Sequence, residues 1–142
     1  MNILISGVSG EIGGQIANNF SKNKNYNLYL IGNKNRKKNI KIYKHDLTKI
    51  LKINFKPDVI IHLAAKHLFS KKGSKNIYHN NIKMTKNLIT FANEKKIKKF
   101  IFFSSVDVYG KITSKIINEN TNKQYPNSYG RSKLESEKML LD

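Results

Sequence analysis

Short apolar runs alternate along the chain with longer amphipathic stretches. Residues 2–6, Asn-Ile-Leu-Ile-Ser, are rich in branched side chains and read as a buried parallel strand. Residues 27–31, Asn-Leu-Tyr-Leu-Ile, read as a second strand, and residues 40–44 alternate as a third. A fourth strand and its exit span Asp58 to Ala65, and a fifth runs from Lys98 to Ser105. Helical patterns lie between these runs. Ile12, Ile16 and Phe20 recur at helical spacing, and Lys49 to Phe55 reads as a short helix broken by Pro57-Asp58. A long helix, about Asn76 to Lys95, marks its buried side with Ile77, Ile82, Leu88, Ile89 and Ala92. The last helix carries Tyr129 to Lys133.

The join between the first strand and its helix is Gly7-Val8-Ser9-Gly10-Glu11-Ile12-Gly13. Strand, glycine turn and amphipathic helix together point to a dinucleotide. Gly7 allows the tight turn, Gly10 lets backbone approach a pyrophosphate, and Gly13 lets helix and strand pack closely. The helix N-terminus adds N–H donors and a positive dipole end.

Tyr129 and Lys133 stand four residues apart and share one helix face. An ammonium near a phenol favours phenolate and draws the tyrosine below its usual value of about 10. Such a phenol exchanges a proton with a substrate hydroxyl near neutral pH. Both residue types are abundant here, so the pair gains its weight from the glycine turn and from Ser105 at the end of an apolar strand.

Composition adds limits. The 142 residues make one domain, 1–142, and the absence of cysteine excludes disulfides and thiolate metal sites. His45, His67 and His79 lack metal-ligand spacing, so no metal is expected, and His62 reads as a packed, hydrogen-bonded core residue. No apolar stretch is long enough to cross a membrane, and the first residues lack the basic start of a signal peptide, so a cytoplasmic protein is the expectation. The net charge of +18 comes almost wholly from lysines scattered among abundant Asn and Ile, a coding-bias signature. No aromatic–basic motif supports nucleic-acid binding. Attraction for phosphorylated ligands follows either way.

The glycine turn Gly7-x-x-Gly10-x-x-Gly13 resembles that of the extended short-chain dehydrogenase/reductase family, the NAD-dependent nucleotide-sugar epimerases and dehydratases. His62-Leu63-Ala64-Ala65, Ser104-Ser105-Val106-Asp107-Val108-Tyr109-Gly110 and Tyr129-Gly130-Arg131-Ser132-Lys133 strengthen the resemblance, as do Glu119, Pro126 and Glu135 or Glu137. It implies an α/β fold: a Rossmann-like doubly wound parallel sheet of five strands in the order 3-2-1-4-5. Ser105, Tyr129 and Lys133 are then the catalytic residues. The implied cofactor contacts begin with Gly7, Ser9, Gly10, Glu11, Ile12 and Gly13. They continue with Asn33 and Arg36 after the second strand, Asp46 and Leu47 against the adenine, and Leu63, Ala64 and Ala65 under the ribose and phosphates. Asn81, which orders the active site, and Tyr129 and Lys133 at the nicotinamide ribose complete the set. Relatives that use NAD end the second strand with an acidic residue, where this chain has Gly32 followed by Asn33-Lys34-Asn35-Arg36. That substitution leans towards NADP over NAD. Apart from the resemblance, Asp46 reads as a helix N-cap.

The resemblance implies hydride transfer at a carbon of a nucleotide-sugar, with Tyr129 as general base. Epimerase, dehydratase and reductase all open with that step. Relatives continue into further strands and a C-terminal substrate domain, whereas these residues reach only the Tyr-Lys helix. A cofactor half of such an enzyme is therefore expected, the alternative being a non-catalytic dinucleotide-binding module or truncated gene remnant. The fifth strand, with Phe100, Ile101, Phe102 and Phe103, becomes an apolar edge. A homodimer, or a separate chain supplying the missing half, is the expected partner beside the nucleotide-sugar.

Overall fold

The computed structural model of the protein describes residues 1–33, 41–67 and 76–141. Five strands form one parallel sheet: β1 Asn2–Ser6, β2 Asn27–Ile31, β3 Ile42–Tyr43, β4 Val59–His62 and β5 Lys99–Phe102. Their order is β3-β2-β1-β4-β5. Three helices, α1 Glu11–Phe20, α2 Ile77–Glu94 and α3 Ser128–Leu141, and a 3-10 turn at Val106–Tyr109 complete the described structure.

The chain divides into two units: Met1–Ala65 with Lys83–Phe103, and Lys66–Ile82 with Ser104–Asp142. The first unit holds the sheet. β1 is buried on both faces, so its run is continuously apolar rather than alternating. Leu4 joins Ile60, Met84, Leu88 and Phe91 in one cluster, while Ile3 and Ile5 join Val8, Ala17, Leu30 and Ile61 in the other. Ser6 pairs in register with Ile31 and with His62. The carboxyl ends of β1, β2 and β4 are therefore level, at the point where strand order reverses and where ligands of such sheets collect.

Several elements differ from the sequence reading. Residues 49–55 are not helical. Asp46 Oδ1 accepts from the Thr48 N–H at 3.0 Å and the Thr48 hydroxyl at 2.7 Å, which closes a turn instead of capping a helix. Beyond it, Leu51 is buried and Ile53 and Phe55 pack on the same cluster, a period of two that no helix has. The third strand keeps only Ile42 and Tyr43; Ile40 lies outside the described residues. β5 ends at Phe102, because Ser105 caps the 3-10 turn, its Oγ accepting from the Asp107 N–H at 3.2 Å. α1 buries Gly13 and Ala17 while Ile12 stays 60% exposed. α2 buries Asn81 and Thr85 in line with Ile77, Met84, Leu88 and Phe91; Ile82 and Ile89 sit at its margins.

Candidate functional site

In the first unit the glycine turn is defined by atoms that have no room to exist. Gly7 has φ +84°, and a Cβ there would lie 2.6 Å from the Ala64 nitrogen. A Cβ on Gly13 would lie 2.5 Å from the Gly7 carbonyl oxygen. Gly10 is different: the nearest atom to its missing Cβ is the Gly7 oxygen at 3.3 Å. Internal packing thus demands Gly7 and Gly13, while the bareness of Gly10 suits approach from outside. The N–H groups of Gly7 and Val8 both donate to the Ile31 carbonyl, at 2.9 and 3.2 Å, which ties the turn to the end of β2. Gly10 is the N-cap of α1 and no side chain caps that helix end. A bare helix N-terminus behind a glycine turn fits a pyrophosphate. Glu11 and Ile12 belong to the first turn of this helix, with Glu11 Oε1 accepting from Gln15 Nε2 at 2.9 Å.

Ser9 contributes through its side chain. Its Oγ accepts from the Asn33 N–H at 2.7 Å and fills the space where a Gly32 Cβ would stand, only 2.6 Å away. A side chain at position 32 would therefore crowd the side chains of Ser9, Val8 and Ile42. Asn33 is exposed, and Arg36 lies outside the described residues. Asp46 is exposed, Leu47 is buried, and the Leu47 carbonyl accepts from Asn87 Nδ2 at 2.9 Å. Leu63 and Ala64 flank Gly7, and Ala65 is exposed. His62, 1% exposed, meets Ser6 Oγ through Nδ1 at 2.7 Å and Thr85 Oγ1 through Nε2 at 3.2 Å. Ser6 Oγ also accepts from the Ala64 N–H at 3.3 Å. With Nδ1 and Nε2 both engaged by hydroxyls, the ring is committed to structure.

The second unit holds Ser105, Tyr129, Lys133 and Asn81. Asn127 opens α3: its Oδ1 accepts from the Gly130 N–H at 2.8 Å, a side-chain N-cap. A Cβ on Gly130 would lie 2.0 Å from the Asp107 carbonyl oxygen, so this glycine lets α3 press against the 3-10 turn that begins after Ser105. Ser105 and Tyr129 are thereby carried by neighbouring elements. Lys133 Nζ lies 5.7 Å from the centroid of the Tyr129 ring, as the four-residue spacing requires. Lys133 is 3% exposed. Asn81 acts as a clamp rather than as a free ligand. Its Oδ1 accepts from the Lys66 N–H at 2.7 Å, and its Nδ2 donates to the Lys66 carbonyl at 3.1 Å and to Ser132 Oγ at 3.0 Å. Ser132 in turn donates to the Tyr129 carbonyl at 2.7 Å. The Ser104 hydroxyl donates to Glu137.

Electrostatics correct one expectation. The Tyr129 phenol is raised above 10, first by burial and then by the Asp107 carboxylate. Lys133 is lowered to about 8, chiefly by burial, with Glu137 opposing. A phenolate–ammonium pair would move both the other way. In the free chain burial outweighs mutual attraction, and the tyrosine waits as a neutral phenol.

Sequence reasoning missed Asn127, Asp107 and Ser132. Asn127 had a local signal, an Asn just after Pro126 and at the start of a helical run. The other two act through contacts distant in sequence. Among the described residues no group of His, Asp or Glu could hold a metal, and no helix is long and apolar enough to cross a membrane.

A sequence profile of the NAD dependent epimerase/dehydratase family matches residues 3–142. The chain is 36% identical over 89 residues to a UDP-glucose 4-epimerase of Caenorhabditis elegans, covering 60% of this chain and 26% of that protein. It is 33% identical over 115 residues to the human dTDP-D-glucose 4,6-dehydratase, covering 78% of this chain and 33% of that one. Among solved structures, the UDP-Glc/GlcNAc 4-epimerase from Campylobacter jejuni superposes with TM-score 0.81 at 30% identity, over 99% of this chain and 48% of that one. The UDP-glucose 4-epimerase from Bifidobacterium longum, solved in complex with NAD+ and UDP, gives TM-score 0.81 at 27% identity, over 100% of this chain and 48% of that one. The chain thus spans about half the length of these solved relatives and a quarter to a third of the curated ones.

Proposed function

The chain belongs to the NAD dependent epimerase/dehydratase family, and on that premise we propose that it is the cofactor-binding half of an NAD(P)-dependent nucleotide-sugar epimerase, dehydratase or reductase. The observation that carries the reading is Lys133, an ammonium 3% exposed and one helical turn from Tyr129. Burying a cation opposes folding, and such groups concentrate at functional sites. The amides after Gly7 and at the start of α1 hold the pyrophosphate. When bound, the dinucleotide supplies a nicotinamide carbon that exchanges hydride with a sugar carbon. Ser105 Oγ orients the sugar hydroxyl, Tyr129 Oη exchanges its proton, and Lys133 favours the phenolate while that exchange proceeds.

NADP preference remains part of the proposal, resting on the absence of a carboxylate at Gly32 and on Arg36. A partner supplying a nucleotide-sugar surface, either a second copy or another chain, belongs to the same reading, as does a cytoplasmic location. A second reading, a dinucleotide-binding module without turnover, is favoured by the raised Tyr129 phenol. Fluorescence titration with NADH and NADPH tests the binding claim: micromolar binding by the native chain and at least tenfold weaker binding by Gly10→Val are expected. Turnover of UDP- and dTDP-sugars that Tyr129→Phe abolishes separates the enzyme from the module. Equal dinucleotide binding by the native chain and Gly10→Val overturns the cradle assignment.

A further inference from the structure

Tyr129 has a neighbour that the family motifs do not include. The His67 imidazole lies with its centroid 4.8 Å from that of the Tyr129 ring, the planes inclined at 59°. That is a tilted arrangement, with a centroid separation in the range of favourable ring pairs. One amide sets both partners. Asn81 grips the N–H and the carbonyl of Lys66, the residue just before His67, and through Ser132 it reaches the Tyr129 carbonyl. Asn81 is 3% exposed and Ser132 is 0% exposed. The juxtaposition is therefore built from buried, hydrogen-bonded groups, although His67 itself is exposed.

We propose that His67 is a positioning residue for Tyr129: its ring holds the phenol at a fixed angle on α3 and shields one side of it from water. The inference rests on the reading of Tyr129 as the proton-transfer group. Three charged or titratable side chains face the same phenol or its partner lysine. Asp107 does so from the 3-10 turn, Lys133 from α3, and Glu137 through Lys133. His67 differs from them in meeting the Tyr129 ring with an aromatic ring of its own.

Ring signals of isotope-labelled tyrosine in the full chain supply the test, with Tyr129 assigned through Tyr129→Phe. In the native chain the Tyr129 ring signals are displaced by the ring current of His67. In His67→Phe, which keeps an aromatic ring at that place, the displacement persists. In His67→Ala it is lost. Signals of the stacked pair Tyr29 and Tyr43 stay constant in every variant and certify the first unit, while the Asn127-capped amide of Gly130 does so for the second. Tyr129 signals unchanged in His67→Ala overturn the inference even where NADH still binds. A His67-dependent shift in a chain that binds no dinucleotide upholds the contact and sinks the functional reading instead.

Discussion

Around Gly7 and Gly13 the structure is held by side chains that are missing, whereas around Tyr129 it is held by side chains that reach. The turn after β1 relies on backbone meeting backbone, with a Cβ on Gly13 left only 2.5 Å from the Gly7 oxygen. The α3 region relies on a polar clamp, Asn81 to Lys66 and Ser132, and on the Asn127 cap. The difference teaches where tolerance lies. A steric cradle fails when any atom is added, while a hydrogen-bonded clamp weakens by about 1 kcal/mol for each bond removed. On the proposed function the ligand chemistry would differ in parallel: amides and a helix dipole need no titration to hold an anion, while a proton-transferring phenol would depend on every charge near it.

The largest effect is expected at the cradle. Gly13→Val drives a branched side chain into the Gly7 backbone and should cost more than about 3 kcal/mol, measured by chemical denaturation. A loss below about 1 kcal/mol would break the steric account. Gly130→Val sharpens the contrast, because it places a cradle-like clash, 2.0 Å from the Asp107 oxygen, inside the clamped region. About 2–3 kcal/mol is expected, with the Tyr129 ring signals displaced.

Lys133 comes next. Its folded value of about 8 lies below the usual 10.5, so between those limits the unfolded chain binds more protons than the folded one. Stability should therefore rise with pH across that window and be flat, for this group, below it. Lys133→Met should abolish the rise and stabilise the chain by on the order of 1 kcal/mol at pH 7, read from denaturation midpoints at several pH values. Tyr129 acts oppositely, since its raised value makes stability fall as pH climbs above about 10. The smallest change is Asn127→Ala, about 0.5–1 kcal/mol, the usual cost of an N-cap.

β1 and β2 have the bounds their apolar runs suggest; β1 is buried along almost its whole length and β2 at Leu30 and Ile31, where it pairs with β1. The glycine turn was legible because the positive φ of Gly7 and the contact of Gly13 with Gly7 admit only glycine, although the Ala64 backbone that crowds Gly7 comes from the folded chain. The stretch after Asp46 misled because helix spacing and alternate packing of Leu51, Ile53 and Phe55 look alike over so few positions. The buried stripe of α2 was half hidden, since Asn81 and Thr85 occupy two of its places and bury polar groups that only tertiary partners satisfy. The sign of the Tyr129 shift was illegible for a stronger reason. Spacing revealed the neighbouring lysine, but burial and the Asp107 carboxylate, which decide the balance, come from the folded chain.

The account stands on the amides of the first glycine turn as an anion cradle. Amide resonances of the full chain, recorded while NAD+ or NADP+ is added, test it directly. The largest shifts should fall on Gly10, Glu11, Ile12 and Gly13, saturating with the dinucleotide and absent when nicotinamide alone is added. Saturating shifts that spare these four amides and fall elsewhere would contradict it.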